Sequence, residues 1–399
     1  MKSSLLILAL VAAVQAAPLI APAANQKVIP DSYIIVLNQD VQASSSGATA
    51  AAFKAKFDAF AKNHNNRGAG PVPTILQEFS SALSGFHATL DATTLKAIQA
   101  DPDVKYIEQD AVVTAYASQP NPPATWGMVR ISQHVRNLTQ PYFYNNLAGA
   151  GVTAYIIDTG ILASHQEFGG RATFGANFVS GSPNTDDNGH GTHLAGIIGS
   201  KTYGIAKNVN LVGVKVLSAS GSGSASGVVA GMDWVAQKAI AGKTVVNMSL
   251  GGGKSQAIDD AAARLYAKNV PLFVAAGGSG GDACTGSPSG ATGVALTVGA
   301  TDSNDAVAPS SSIGPCVKIF APGVGIKSTW IGSNTATKIV SGSSMSTAFT
   351  TGAAALLAAQ GGLTAAQSVF DKLLLQCTPN VITGNLGGAN NCLLYNGGP

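Results

Sequence analysis

Charge is scarce in this chain. Asp, Glu, Lys and Arg make up 11% of its 399 residues, and 23 basic against 20 acidic side chains leave a net charge of only +3. No basic run appears, which argues against nucleic acid as a partner. A disordered chain would be charge-rich and apolar-poor; with 46% hydrophobic residues this one folds around a large core. Long apolar runs are also missing. Beyond the first sixteen residues no segment suffices to span a bilayer, and GAAALLAAQ (352–360), flanked by polar residues, reads as a buried helix. No internal repeat is present. Cysteine is rare, with four in all.

The one strongly apolar stretch is terminal. MKSSLLILALVAAVQA is a short charged start, an apolar run and then small residues, the pattern of a secretory signal cut after Ala16. It is too short for a membrane anchor, so no membrane association is expected and the protein is read as secreted and extracellular. An oxidising compartment makes disulfides the expectation for Cys284, Cys316, Cys377 and Cys392. Three pairings are possible. The sequence-local one, Cys284 with Cys316 and Cys377 with Cys392, closes two loops that do not cross.

After a Pro/Ala-rich spacer, VIPDSYIIVL (28–37) reads as a strand by its β-branched and aromatic content. Residues 48–64 set Phe53, Phe57 and Phe60 at helical spacing. FSSALSGFHATL (79–90) alternates like a second strand. Residues 91–104 form a helix opened by Asp91 as N-cap and closed before Pro102, and YIEQDAVVTAY (106–116) is a third strand. These elements make a small α+β domain over about 28–116. The proline-rich ASQPNPPATWG (117–127) then reads as an exposed linker. Beyond it, VTAYIID (152–158), LVGVKVL (211–217), VVNMSL (245–250) and PLFVAA (271–276) are continuous apolar runs separated by helical stretches. That pattern predicts an α/β fold with a mostly parallel sheet flanked by helices, whose chemistry lies beyond the carboxyl ends of the strands.

Three motifs fit that placement. AYIIDTG (154–160) ends a strand at Asp158. NGHGTHLAG (188–196) sets His190 among glycines before a helix. SGSSMSTAF (341–349) puts Ser344 after a tight turn, at the opening of the apolar helix. Asp, His and Ser in that order on a parallel α/β scaffold is one of the known arrangements of the acyl-transfer triad. A serine hydroxyl is a poor nucleophile until a neighbouring imidazole takes its proton, and that imidazole needs a carboxylate to fix its tautomer. A zinc site would want His-x-x-x-His with a glutamate between; only Gly191 and Thr192 separate His190 from His193, so no metal is expected. A lipase-type elbow would need Gly-x-Ser-x-Gly and the serine first in order, which this chain lacks.

On these motifs, with KTYGIAK (201–207), GVKVL (213–217), GSGS (221–224), AGMDWVA (230–236), NMSLGGG (247–253) and TVGA (297–300) in the expected order, the sequence resembles the subtilisin-like serine proteases, in particular the fungal proteinase K-like group. The resemblance implies a signal peptide over 1–16, an inhibitory propeptide over 17–116 and a peptidase domain over 117–399. It implies Asp158, His190 and Ser344 as catalytic, with His190 the general base and His193 a packing neighbour. Extended peptide or protein substrate would add as a strand against Gly221, Ser222 and Gly223 on one side and Ser249, Leu250, Gly251 and Gly252 on the other. The pocket lined by 249–252 and 275–278, rich in Gly and Ala, suggests room for apolar side chains. The chain's own propeptide is the implied intramolecular inhibitor; no cofactor is required, and a monomer is the default.

The pattern also breaks. Where the family carries its oxyanion asparagine, this chain has Gly278, which has no side chain to donate. After Ser344 the family reads Thr-Pro-His-Val; here Thr347-Ala348-Phe349-Thr350 stand. Leu194 replaces a cysteine found in many relatives. Lys318 replaces the aspartate of a calcium site, which argues against calcium there. Two functions remain: a secreted serine endopeptidase slowed at the oxyanion position, or a catalytically silent homologue that binds peptides or protein partners. Asn137-Leu138-Thr139 is a glycosylation acceptor, whereas Asn247-Met248-Ser249 lies in an expected buried strand and is discounted.

Overall fold

The computed structural model describes residues 16–21, 28–38, 48–64, 71–79, 85–111, 116–122 and 125–398. The signal segment before Ala16 lies outside the described residues. The chain divides into two compact units, Met1–Val113 and Thr114–Pro399, so the division falls slightly ahead of the expected 116/117 boundary. Among the described residues no helix is long and apolar enough to cross a membrane.

The first unit contains β1 (Leu19–Ile20), β2 (Val28–Leu37), α1 (Ala48–His64), β3 (Thr74–Phe79), β4 (Gly85–Thr89), α2 (Ala92–Gln99) and β5 (Val104–Ala111). Its sheet has the order β1-β5-β2-β4-β3, antiparallel except where β1 meets β5. The spacing of the α1 phenylalanines turns Phe53 and Phe57 into the core with Ile35, Phe86, Ile98 and Ile107, while Phe60 is only half-buried. Asp91 caps α2 through Oδ1, which accepts from Thr93 N at 2.8 Å and Thr94 N at 3.0 Å. Two strand readings need correction. Among the described residues the 79–90 stretch supplies β4 and, at Phe79, the end of β3, which begins ahead of it at Thr74. The 106–116 strand starts earlier, at Val104, and ends at Ala111.

The second unit opens with β6 (Tyr116–Gln119), α3 (Trp126–Ile131) and β7 (Tyr142–Asn145). β6 pairs antiparallel with β7, and α3 buries Met128, Val129 and Ile131. The expected exposed linker over 117–127 is therefore partly structural: its first residues are a strand and its last begin a helix. Then come β8 (Thr153–Asp158), β9 (Ala172–Asn177), α4 (His190–Gly199), β10 (Asn210–Lys215), α5 (Ala225–Lys238), β11 (Thr244–Met248), β12 (Gly252–Gly253), α6 (Gln256–Ala267), β13 (Leu272–Ala275), β14 (Gly286–Ser287), β15 (Leu296–Thr301), β16 (Val317–Pro322), β17 (Ile326–Thr329), β18 (Thr337–Val340), α7 (Ser343–Ala359), α8 (Ala366–Gln376), β19 (Thr378–Pro379) and β20 (Cys392–Leu393).

Nine of these strands form one sheet, ordered β19-β20-β16-β15-β13-β11-β8-β10-β9, parallel except for the β19–β20 pair. Alternation along β8 explains its unbroken apolar run. Ala154 and Ile156 join the cluster with α4, α7 and α8, while Tyr155 and Ile157 join the one with α5 and α6. From β8 the chain runs out to β9, returns through β10, and then continues with β11 on the other flank of β8. The carboxyl ends of β8 and β11 thus sit at the topological switch point. Disulfides join Cys284 to Cys316 and Cys377 to Cys392, the sequence-local pairing.

Candidate active site

Asp158 is the last residue of β8 and is fully buried. Its Oδ1 accepts from Thr159 N and from the Nδ1 of His190, both at 2.8 Å. The second oxygen, Oδ2, is buried with no partner among the described residues. Because Nδ1 donates to a carboxylate, Nε2 of His190 is the nitrogen left for a substrate-side group. Burial works against the charged imidazolium. Asp158, through its charge and its hydrogen bond, and Asp186 more weakly, outweigh that and hold the His190 pKa above its ordinary 6.5.

The glycines around His190 have physical reasons. Gly189 adopts φ +108°, and a Cβ there would come within 2.5 Å of the Trp330 ring; one at Gly191 would overlap the Gly160 carbonyl oxygen. The loop before α4 is organised by a residue that sequence reasoning passed over. Buried Asp186 accepts from Thr159 Oγ1, Asn188 N and Gly189 N through Oδ1, and from Thr192 N and Oγ1 through Oδ2. Its neighbour Asp187 accepts from the fully buried Lys215 at 2.6 Å. An acidic pair stands directly before the histidine motif, but its residue types do not announce this bonding.

His193 is fully buried. Its Nε2 donates to Ile326 O and Lys338 O at 3.1 and 3.2 Å, its ring meets that of Trp330 at 74°, and burial pushes its pKa down to about 4. The one trio of potential ligands among the described residues, Asp282, Cys284 and Cys316, has both sulfurs bonded to each other. Lys318, at the position the resemblance gives to a calcium aspartate, donates to Pro315 O at 2.8 Å.

Ser344 stands in the first turn of α7. Its hydroxyl donates to Ser249 O at 3.2 Å, while Ser249 Oγ donates back to Ser344 O at 2.9 Å. Asn247 supports that clasp, donating to Ser249 Oγ at 3.0 Å and accepting from Thr351 at 3.1 Å. Among the described residues, His190's ring has Asp158 as its one hydrogen-bond partner, so Asp158 and His190 are joined while Ser344 is held on the neighbouring Ser249. Ser343 ties α7 to the loop after β13, accepting from Gly277 N at 3.1 Å and donating to Gly277 O at 3.0 Å.

Two adjoining clefts share Ser249–Gly252. One, of about 610 Å³, is lined by His190 and by Gly221, Ser222 and Gly223; the other, of about 470 Å³, by Ala275–Gly278 and Ser344. Gly221–Gly223 are turn rather than strand, with Ser218 N bonded to Ser222 O, and Ser224 caps α5. Gly278 opens onto free space, with nothing within 4 Å of a Cβ built there. Asn137 is exposed and its side chain accepts from Thr139 N and Oγ1, whereas Asn247 is fully buried.

A parallel sheet of this strand order, with an Asp–His pair at its carboxyl edge and a serine opening a buried helix, defines a subtilisin-like protein. The profile of the Subtilase family matches residues 149–383, and that of Peptidase inhibitor I9 matches residues 32–116. The chain belongs to the subtilase family. It is 41% identical over 375 residues to Subtilisin-like protease 2 of Pseudogymnoascus destructans, spanning 93% of this chain and 90% of the relative. It is 41% identical over 377 residues to the Cuticle-degrading serine protease of Arthrobotrys oligospora, spanning 92% and 91%. Among solved structures, a cold adapted subtilisin-like serine proteinase matches with a TM-score of 0.65 at 45% identity, covering 68% of this chain and 98% of that one.

Proposed function

We propose that this chain is the precursor of an exported serine endopeptidase, acting through Asp158, His190 and Ser344 with an oxyanion hole weakened at Gly278. The observation that carries the reading is the 2.8 Å bond between buried Asp158 and His190 at the mouth of a cleft. A substrate peptide lies extended along Gly221–Gly223 and Ser249–Gly252. Ser344 turns its hydroxyl from Ser249 O towards His190 Nε2, gives up its proton and attacks the carbonyl carbon. The tetrahedral oxyanion takes a hydrogen bond from Ser344 N–H but none from position 278. As the intermediate collapses, His190 returns the proton to the departing amine, and water then cleaves the acyl-enzyme by the same route.

The segment over 17–116 serves as the intramolecular inhibitor, with cleavage near residue 117. Asn137 is a glycan acceptor, no cofactor takes part, and Lys318 supplies locally the positive charge that a calcium ion would otherwise bring. The competing reading is a catalytically silent peptide binder. It draws on the Ser344–Ser249 bond and the vacancy beside Gly278, and it is weaker because a buried Asp–His pair has no evident use in a binding module. A fluorophosphonate probe decides between them. Stoichiometric labelling that disappears in Ser344→Ala and falls steeply in His190→Ala is expected; an unlabelled folded protein would overturn the enzyme reading.

A further inference from the structure

A second cavity, of about 390 Å³, lies in the same unit but shares no lining residue with the two clefts above; Arg171, Lys201, Lys207, Glu167 and Tyr144 are on its wall. The turn between α4 and β10 brings two of the lysines together, as Lys207 Nζ donates to Lys201 O and Gly204 O, both at 3.0 Å. The Lys207 ammonium lies 5.6 Å from the ring centroids of Tyr142 and Tyr144. Arg171, just ahead of β9, spends Nη1 on Gly199 O and Val209 O, both at 2.8 Å. Among the described residues its Nε and Nη2, the third proton of Lys207 and the whole Lys201 ammonium have no hydrogen-bond acceptor.

The one carboxylate on this wall is already engaged: Glu167 accepts from Thr202 N at 2.6 Å and from Thr202 Oγ1 at 2.7 Å. Three cations thus face one occupied anion. Burial brings Lys207 down to about 7, with Glu167 opposing and Arg171 adding to the effect, and burial lowers Arg171 as well. Charges desolvated in this way are stabilised by an anion that meets their spare donors, and a guanidinium offers two in a fork suited to an oxyanion.

We propose that this cavity binds a divalent oxyanion of the sulfate or phosphate type, gripped by the free Arg171 donors, Lys207 and Lys201. A free ion and a phosphate ester share this chemistry. The test is thermal unfolding of the full chain carrying Ser344→Ala, which removes self-digestion, in sodium sulfate, sodium phosphate or O-phosphoserine, each against chloride at matched ionic strength. Sulfate stabilises most proteins without saturating, so the informative readout is a saturable rise in Tm. Half-effect is expected on the order of 1–10 mM. The exposed Lys201→Gln substitution should weaken it about threefold to tenfold, and Arg171→Gln or Lys207→Met should remove it. A parallel NMR titration of the Lys207 amine needs no substitution and should move up by about one unit with sulfate present. An equal response to phosphoserine assigns the site to esters as well, and a response to the inorganic ions alone assigns it to the free ion. A non-saturating rise shared by all the variants, or a Lys207 titration that sulfate leaves in place, would overturn the proposal.

Discussion

At the scale of single residues, the positions that matter are set by what each side chain meets. Gly278 has open space in front of it, so an asparagine can be introduced without displacing a neighbour. Gly278→Asn is expected to raise turnover on a peptide substrate by about 10²-fold or more, equivalent to roughly 2.7–4 kcal/mol. That size is taken over from loss of the corresponding donor in subtilisin rather than derived from this chain. An unchanged rate in a folded variant would show that the oxyanion position is not what limits catalysis. His190 gives a second test. A general base works only when neutral, and Asp158 holds this imidazole's pKa above 6.5, so the acid limb of kcat/KM should lie above that value. A limb at or below 6.5 would separate His190 from the rate. The placing of Asp158 at a strand end and of His190 and Ser344 at helix starts was legible in the sequence because each lies where a short local pattern changes. Asp186 was not legible. Its five hydrogen bonds join Thr159 to residues across the following turn, and nothing in the word Asp-Asp-Asn announces that geometry.

At the scale of elements, α4 and α7 are buried helices that bring functional groups to the sheet's rim, and α4 pays for its buried His193 in acid. The unfolded chain protonates this imidazole near 6.5, whereas the folded one resists to about 4. Between those values the unfolded state holds more protons, so the folded state loses stability as pH falls through the window, by about 3 kcal/mol in total. His190 has the opposite sign, but its stabilisation is complete below 6.5 and does not change within that window. Denaturant unfolding of the Ser344→Ala form at several pH values should show the loss, and His193→Gln should flatten it; equal slopes would refute the assignment. The strands β8, β10, β11 and β13 were readable because burial on both faces leaves a continuous apolar run. The edge strand β9 was not, since its residues Thr173 to Asn177 are only half-buried or exposed and carry no such run. Short β6 was hidden for another reason: it makes its ladder with β7, across more than twenty intervening residues, in a stretch whose prolines spoke for a linker.

At the scale of the whole molecule, two units with separate cores share one chain, and the inhibitor-like segment precedes the peptidase-like one. Excision by the chain's own active site implies that Ser344→Ala, made in a host free of proteases, retains the bond near residue 117, which mass measurement of the secreted product reads directly. Normal maturation of that variant would assign the cut to another enzyme. The broad division was visible in composition, but its finer position depended on which strand Tyr116–Gln119 would join, a choice made by distant Tyr142–Asn145. That choice bears on timing. A scissile bond must lie stretched across the rim beside Ser344, whereas these residues are zipped to β7 in a two-stranded ribbon that contains neither Ser249 nor Gly252. The ribbon is already formed in the uncut chain, so a cut near residue 117 at Ser344 would require it to open first: the ribbon would act as a latch.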